Sequence, residues 1–490
     1  MPESSDADPN VHHAALEAAL TDAARRRAPG GMAAVIESGE VRAALAFGEP
    51  RRDGTPTTAR TVFRIASLTK SFLAATALSL REDGLLELGA PVSEYVPAMG
   101  AARFRGAPAR ITLADLLANR SGLPEDNPWG DDHLGASRSE IMEIITSGLQ
   151  LSASPGTLYQ YSNIGMSMIG RAIEAVTERP VERVIDERIL GPLGLTNTRW
   201  TADAFGRDAD VARGFRTFDD GATFIPAPSA GSGALACIGS LFSTADDIAR
   251  WMGFLIDGFD DRDPDGGRAV LSSAARRELQ RLHTVNPTRA TRFGGRELVA
   301  AGYGYGLVVE HDVQFGRTVG HAGGLPGFAA HMRWHPESGL GVVAFGNSDE
   351  FPAWQVTASA LDHLLSARTA ASPWDEVWAA TREAARTIDD VIRERRSFAD
   401  AGALFSRNVL QDIPVEVRDR RLSALFDTLG TPIPDAPPVA SRVVSAPEAS
   451  TLRWDLPTEH GALRCEVHMM GLSVPIVQAI SVGARDQSSI

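Results

Sequence analysis

The chain reads as an α+β protein: a central antiparallel sheet flanked by helices, with an all-helical subdomain between its strands and a small separate α+β domain at the C-terminus. Three observations predict this. A short hairpin pattern stands near the start of the chain, strand-like runs return only late, and the pattern changes again after "ASPW" at Ala371–Trp374. Strands at both ends of a helical stretch must meet in one sheet if either is to bury its apolar face.

Taken in order, Val11–Arg27 has amphipathic helical spacing, so residues 1–28 are expected to form an N-terminal helix. "GGMAAVIESGEVRAALAFG" gives two apolar runs around Ser38, Gly39 and Glu40, the pattern of a hairpin. From Ser67 to Asp83 the apolar residues recur at helical spacing and Gly84 supplies a stop. Further helices are predicted at Leu113–Asn119, Ser139–Ser147, Ile164–Thr177, Pro180–Ile189 and Thr244–Ile256. "STADDIARW" reads as a capping box from Ser243 with Asp246 at its third position.

"TVGHAGG", "HMRWHP" and "GLGVVAFGN" are the late strands, and "GYGYG" at Gly302–Gly306 reads as another strand of the same sheet. An Ala-rich helix follows over Ala353–Leu365. The main domain is thus expected to span 29–366. Residues 372–490 would form the second domain: helices to about Gly430, the Pro-rich break "TPIPDAPP", then short alternating strands.

Composition narrows the function. A net charge of -14 argues against nucleic acid or an anionic membrane as partner, since both call for a basic face. No window nears the roughly 18 uninterrupted apolar residues of a spanning helix. The acidic N-terminus lacks the basic and apolar regions of a secretory signal, so a cytoplasmic protein is expected. Two cysteines, Cys237 and Cys465, cannot make a disulfide framework. The paired histidines His12/His13 and His331/His335 have no accompanying ligand pattern, so neither a metal nor another cofactor is expected.

One residue stands out. Lys70 is the only lysine among 48 basic residues, and it follows Ser67 by three positions at the start of a helix. That spacing puts a hydroxyl and an amine on one face, as an activated nucleophile requires. Arginine cannot serve there because its guanidinium stays charged, whereas a desolvated lysine can release its proton near neutral pH. Taken alone, Ser-x-x-Lys also fits a serine N-cap followed by a surface lysine; the apolar flanks Phe63, Ile65, Leu68 and Phe72 favour the buried site.

Two more elements complete a constellation. Tyr161, Ser162 and Asn163 precede a helix and can project into a cleft, the phenol as a proton shuttle and Asn163 as a ligand for a substrate amide. His321 with Gly323 and Gly324 falls on a predicted edge strand, where glycines let a substrate approach and leave N–H groups for an oxyanion.

Ser-x-x-Lys, Tyr-x-Asn about 94 residues later and His-x-Gly about 160 further on are the order and spacing of the serine β-lactamase and penicillin-binding protein superfamily. The chain resembles its class C-like branch, with family VIII esterases and D-amino-acid peptidases, over about Gly30–Leu365. The resemblance implies a β-lactamase/transpeptidase-like fold with Ser67 as acylated nucleophile and Lys70 and Tyr161 sharing acid–base work. Asn163 would orient the substrate amide or the lysine, and the N–H groups of Ser67 and Gly324 would form the oxyanion hole.

His321 would stand where relatives carry the lysine of Lys-Thr-Gly. That removes a permanent cation and favours small esters and amides over substrates with a free carboxylate. Asn119 replaces a common histidine, a difference expected to concern packing. The C-terminal domain resembles the ketosteroid isomerase-like cone fold, with a lid, gating or homodimer-forming role. The expected activity is therefore a serine hydrolase working through an acyl-enzyme on a small ester, amide or peptide. A β-lactamase or D-stereospecific peptidase is the alternative enzyme, and a non-catalytic acyl or peptide binder the alternative outside enzymes.

Overall fold

The computed structural model describes residues 9–206, 209–259, 270–287, 292–293, 296–368 and 372–485. The first eight residues of the acidic N-terminal stretch and residues 369–371 at the expected domain boundary lie outside the described residues. The chain divides into two compact units, Met1–Ala367 and Arg368–Ile490.

In the first unit, α1 (Pro9–Ala19) precedes β1 (Gly30–Glu37) and β2 (Glu40–Gly48). The single helix predicted over Val11–Arg27 is interrupted, because Thr21 turns extended and its hydroxyl caps a separate turn, Asp22–Arg25. Ser38 and Gly39 have φ of 52° and 76°, the doubly left-handed geometry of a two-residue hairpin loop. Then come α2 (Thr69–Glu82), α3 (Asn163–Thr177) and α4 (Ala245–Ile256). The strands resume with β3 (Arg296–Tyr303), β4 (Val308–Asp312), β5 (Gly316–Leu325), β6 (Phe328–His335) and β7 (Leu340–Gly346), and α5 (Ala353–Ala367) closes the unit.

Among the described residues these strands form one antiparallel sheet in the order Thr284–Val285, β3, β4, β5, β6, β7, β1, β2. Val35 of β1 lies opposite Val342 of β7 and Ala43 of β2, so the two ends of the unit meet inside the sheet. Side-chain alternation then separates two cores. Ala33, Val35, Val342 and Ala344 pack against Leu16 of α1 and Leu361 of α5. Met32, Met332, Trp334, Val343 and Phe345 face the helical side, where Phe72 of α2 and Trp251 of α4 are buried. Each such side chain contributes on the order of 1.5–3 kcal/mol.

Three sequence expectations are corrected. β5 is an interior strand, not an edge: Gly316–Gly320 pairs with β4 and Val319–Leu325 with β6. Because β4 begins at Val308, opposite Gly320, the half of β5 from His321 onward has no β4 partner and forms a local edge inside the sheet. "GYGYG" is strand only through Tyr303; the chain then turns, with Gly306 at φ 68°. The helix-start at "STADDIARW" is shifted by one residue. Thr244, not Ser243, accepts from the Asp247 N–H, and the Asp247 carboxylate is occupied by the Asn197 N–H and the Thr198 hydroxyl, so the reciprocal half of a capping box is absent.

The second unit has α6 (Ala379–Arg393) and α7 (Val415–Leu429), then β8 (Val443–Glu448), β9 (Thr451–Thr458), β10 (Gly461–Met469) and β11 (Val477–Ala484) as a four-stranded antiparallel meander. Leu452, Trp454, Leu456, Leu463, Cys465 and Val467 alternate inward against Ile388 and Ile392 of α6. The buried Asp389 carboxylate accepts from Arg442 Nη2 at 2.5 Å and Trp454 Nε1 at 2.8 Å, which pairs its charge. Both cysteines are free and buried.

Candidate active site

Ser67 lies in a 3₁₀ turn, Ala66–Leu68, that leads into α2. Ala66 has φ 48°, a left-handed conformation that strains a residue with a Cβ. The turn is held from several sides. Thr69 Oγ1 donates to the Ala66 carbonyl at 2.6 Å, Ser71 Oγ donates to that of Leu68 at 2.7 Å, and Trp251 Nε1 donates to Ser71 Oγ at 3.0 Å. Trp251 also stacks on Phe72 at 4.4 Å.

One helical turn on, Lys70 is fully buried. Its Nζ donates to Ser67 Oγ at 2.9 Å and to the Ile238 carbonyl at 3.0 Å. Burial pushes this amine down to about 7, with the nearby charges of Asp131 and Asp126 pulling in the opposite direction. Burial therefore brings the amine into the range where it can give up its proton near neutral pH.

Tyr161 is half-buried, and Lys70 Nζ sits 5.0 Å from its ring centre. Burial pushes the phenol up, with the adjacent Ser67 hydroxyl acting the other way. A cation-lowered phenol is therefore not what this pocket builds, because its closest amine is itself driven toward neutrality.

Asn163 is tied to a neighbouring segment. It is buried, its Nδ2 donates to Asn127 Oδ1 at 3.1 Å, and Gly130 packs so closely that a Cβ there would lie 2.5 Å from that of Asn163. Its amide nitrogen thus braces the 126–130 segment, while its Oδ1 is buried with no hydrogen-bond partner among the described residues. The α3 N-terminus above it is anchored by Asp126, which accepts from Ser162 Oγ (2.8 Å), Asn163 N (2.5 Å) and Ile164 N (3.1 Å).

On β5, Gly323 abuts the Ser67 turn: a Cβ at this position would collide with the Ile65 carbonyl and the Leu68 side chain. A Cβ on Gly324 would meet nothing, and Gly324 joins Ser67, Tyr159, Tyr161, His321 and Ala322 in the wall of a cavity of about 550 Å³. The structure therefore brings Ser67, Lys70, Tyr161, His321, Gly323 and Gly324 together, and holds Asn163 at the start of α3 through its Nδ2.

His321 is buried with both ring nitrogens engaged, Nδ1 with the Ala322 carbonyl at 2.6 Å and Nε2 with the Tyr303 hydroxyl at 2.8 Å. Asn119, expected to differ from relatives only in packing, sits at φ 51° and accepts the Ser162 N–H on Oδ1 at 3.1 Å, so it positions the Tyr161–Asn163 loop. Sequence reasoning missed Tyr303, Asp126 and Asp131. Only the alternating glycines of "GYGYG" hinted at a close approach near Tyr303, and the two acids carry no local signal. Among the described residues no group of three or more His, Cys, Asp or Glu is arranged to hold a metal, and no helix is long and apolar enough to cross a membrane.

The chain is similar to several known proteins. The family model described as Beta-lactamase matches residues 14–367. The D-alanyl-D-alanine-carboxypeptidase/endopeptidase AmpH of Escherichia coli (strain K12) is 27% identical, over 64% of this chain and 78% of that protein. The octameric penicillin-binding protein homologue from Pyrococcus abyssi superposes with a TM-score of 0.62 at 21% identity, covering 97% of this chain and 99% of that one. The D-amino acid amidase from Ochrobactrum anthropi SV3 gives a TM-score of 0.54 at 25% identity, over 73% and 99%. With the serine, the buried lysine and the glycine strand in one cleft, and a family match running through almost the whole first unit, the chain belongs to the Beta-lactamase family and is a serine hydrolase.

Proposed function

We propose that Ser67 is the nucleophile of an acyl-enzyme reaction on a small, neutral ester or amide. The observation that carries this reading is the 2.9 Å approach of Lys70 Nζ to Ser67 Oγ by an amine that burial has driven to about 7. Free Lys70 takes the serine proton as Oγ bonds to the acyl carbon, and negative charge collects on the carbonyl oxygen. The N–H groups of Ser67 and Gly324 receive that charge. The proton passes through Tyr161, acting as a neutral phenol, to the departing alcohol or amine, and water then releases the acyl group by the same route. Positioned proton transfer of this kind contributes ~10²–10⁴-fold.

A second reading, cleavage of D-amino-acid amides or peptides, is supported by the amidase and carboxypeptidase named among the relatives. Self-association belongs to the proposal as well, supported by the octameric state of the Pyrococcus abyssi homologue, which aligns over both units. Light scattering on the purified chain tests it.

The decisive test is incubation with a fluorophosphonate, p-nitrophenyl esters of graded length, D-amino-acid amides and a chromogenic cephalosporin, following turnover and intact mass. An adduct on Ser67 and ester turnover that both vanish in Ser67→Ala are expected. Turnover surviving Ser67→Ala would overturn the assignment, and an adduct without turnover of any substrate would make the protein a binder.

A further inference from the structure

The second unit has a pocket of its own, which ester or amide cleavage at Ser67 does not use. Phe398, Leu422, Leu425 and Ile480 line a cavity of about 160 Å³ between α7 and β11, and Arg418 and Arg421 of α7 share its wall. Phe398, Leu422 and Ile480 are buried members of the core that α6 shares with the sheet, so the floor of the pocket is apolar and backed by packed side chains. The volume is about five times the ~30 Å³ of a water molecule, room for an alkyl tail of about five carbons.

The two arginines lie three residues apart, on one face of the helix, where like charges destabilise each other. Burial pushes Arg418 below the usual guanidinium range, and the charge of Arg421 pushes the same way against that of Asp412. Among the described residues neither arginine forms an ion pair. Arg418 donates to main-chain carbonyls, Nε to Ile413 at 3.1 Å, Nη2 to Val409 at 2.8 Å and Nη1 to Ile480 at 3.5 Å. These bonds use three of its five N–H groups and leave one on each Nη. They fix the side chain in place without neutralising it. The acids of this neighbourhood bond elsewhere: Asp419 to Ser397 Oγ at 2.6 Å and Phe398 N at 3.0 Å, Asp412 to Asn408 Nδ2 at 2.8 Å.

We propose that this pocket binds a small alkyl carboxylate, its head group between Arg418 and Arg421 and its tail on the apolar floor. A carboxylate supplies the missing negative charge and two acceptor oxygens that match a guanidinium fork. An inorganic anion would leave the floor empty, and a neutral ligand would leave the two charges uncompensated. Acids of this class are what cleavage of a small ester or amide releases, so the site suits the product of the proposed reaction. Its existence does not depend on that reaction.

Titration of the full chain with propionate, butyrate and hexanoate, followed by ligand-observed NMR, tests the proposal. Affinity should rise about fourfold with each methylene added, and 1-hexanol and hexylamine should bind at least tenfold more weakly than hexanoate. Arg421→Glu, at an exposed position, should weaken hexanoate at least tenfold. Leu425→Trp, which fills the pocket, should abolish the dependence on chain length. Equal affinity along the acid series, hexanol binding as tightly as hexanoate, or hexanoate binding that survives both substitutions would each overturn the proposal. Inorganic phosphate that competes as well as hexanoate would reduce the site to a pair of surface charges and overturn it too. None of these measurements involves Ser67, so their failure leaves the hydrolase reading standing, and an absent Ser67 adduct leaves this site standing.

Discussion

Lys70 Nζ is 2.9 Å from Ser67 Oγ, and the chain has built around this contact an environment that no other basic residue in it could exploit. Forty-seven of the 48 basic residues are arginine, the 48th being Lys70, and an arginine here would remain a cation.

The first consequence is a pH profile. With Lys70 pushed down to about 7, the amine is the competent base above that value and an ammonium below it. We expect kcat/KM for a neutral ester to climb with unit slope through about pH 7 and to level off above it. A rise centred below pH 5 would assign the base to a carboxylate instead.

Asp131 tunes that limb. Burial pushes its carboxyl up to about 6, and its charge supports the protonated form of Lys70. Asp131→Asn removes this support, so the midpoint of the limb should move to lower pH by several tenths. Movement to higher pH would show that Asp131 does not act on Lys70 through its charge.

Holding Lys70 in the interior opposes folding. Its folded pKa lies below the ordinary lysine value of 10.5, so the unfolded chain binds more protons between about 7 and 10.5 and stability rises with pH across that window. Lys70→Met should therefore be more stable than wild type by a few kcal/mol below pH 7, the difference shrinking toward pH 10, with activity lost. Calorimetry at pH 6.5 and 9.5 checks both the sign and the trend; a variant less stable at pH 6.5 would refute it.

Gly323→Ala probes how the strand seats the nucleophile. The new methyl would strike the Ile65 carbonyl, which can yield only by moving the Ser67 turn. A displacement near 1 Å costs on the order of 100-fold in rate. Ester kinetics should show this loss in kcat, whereas Gly324→Ala, whose methyl enters open space, should mainly alter KM.

In the second unit, Asp389→Ala would leave the buried Arg442 guanidinium without its carboxylate partner and Trp454 Nε1 without its acceptor. Loss of one member of a buried pair costs about 3–5 kcal/mol. Hydrogen exchange should accelerate across β9 and β10; unchanged protection there would show that the pair contributes little.

Much of this was legible before any coordinates. The hairpin was readable because "SGE" supplies turn chemistry between apolar runs, and the late strands because their apolar residues are β-branched or aromatic and bounded by glycines. The Ser67, Lys70, Tyr161 and His321 set was readable because each is an uncommon choice at its position and the spacing is long and specific. The break at Thr21 and the true cap at Thr244 were not, since each competes with an equally good neighbour, Leu20 continuing a helix and Ser243 offering a second hydroxyl.

By itself, then, the sequence determined the chemistry on offer: a single titratable amine one helical turn from a hydroxyl, a phenol, and a glycine-rich strand. Local pattern and residue type suffice for that because helix and strand periodicities are short-range. Tertiary structure alone decided how these groups are charged and aimed. It turned β5 into an interior strand with one free half, tied Asn163 Nδ2 to Asn127, put Asp131 within reach of Lys70, and set Tyr303 against His321 from 18 residues away in sequence. Charge state follows from burial and from neighbours distant along the chain, and neither is encoded in the spacing of a motif.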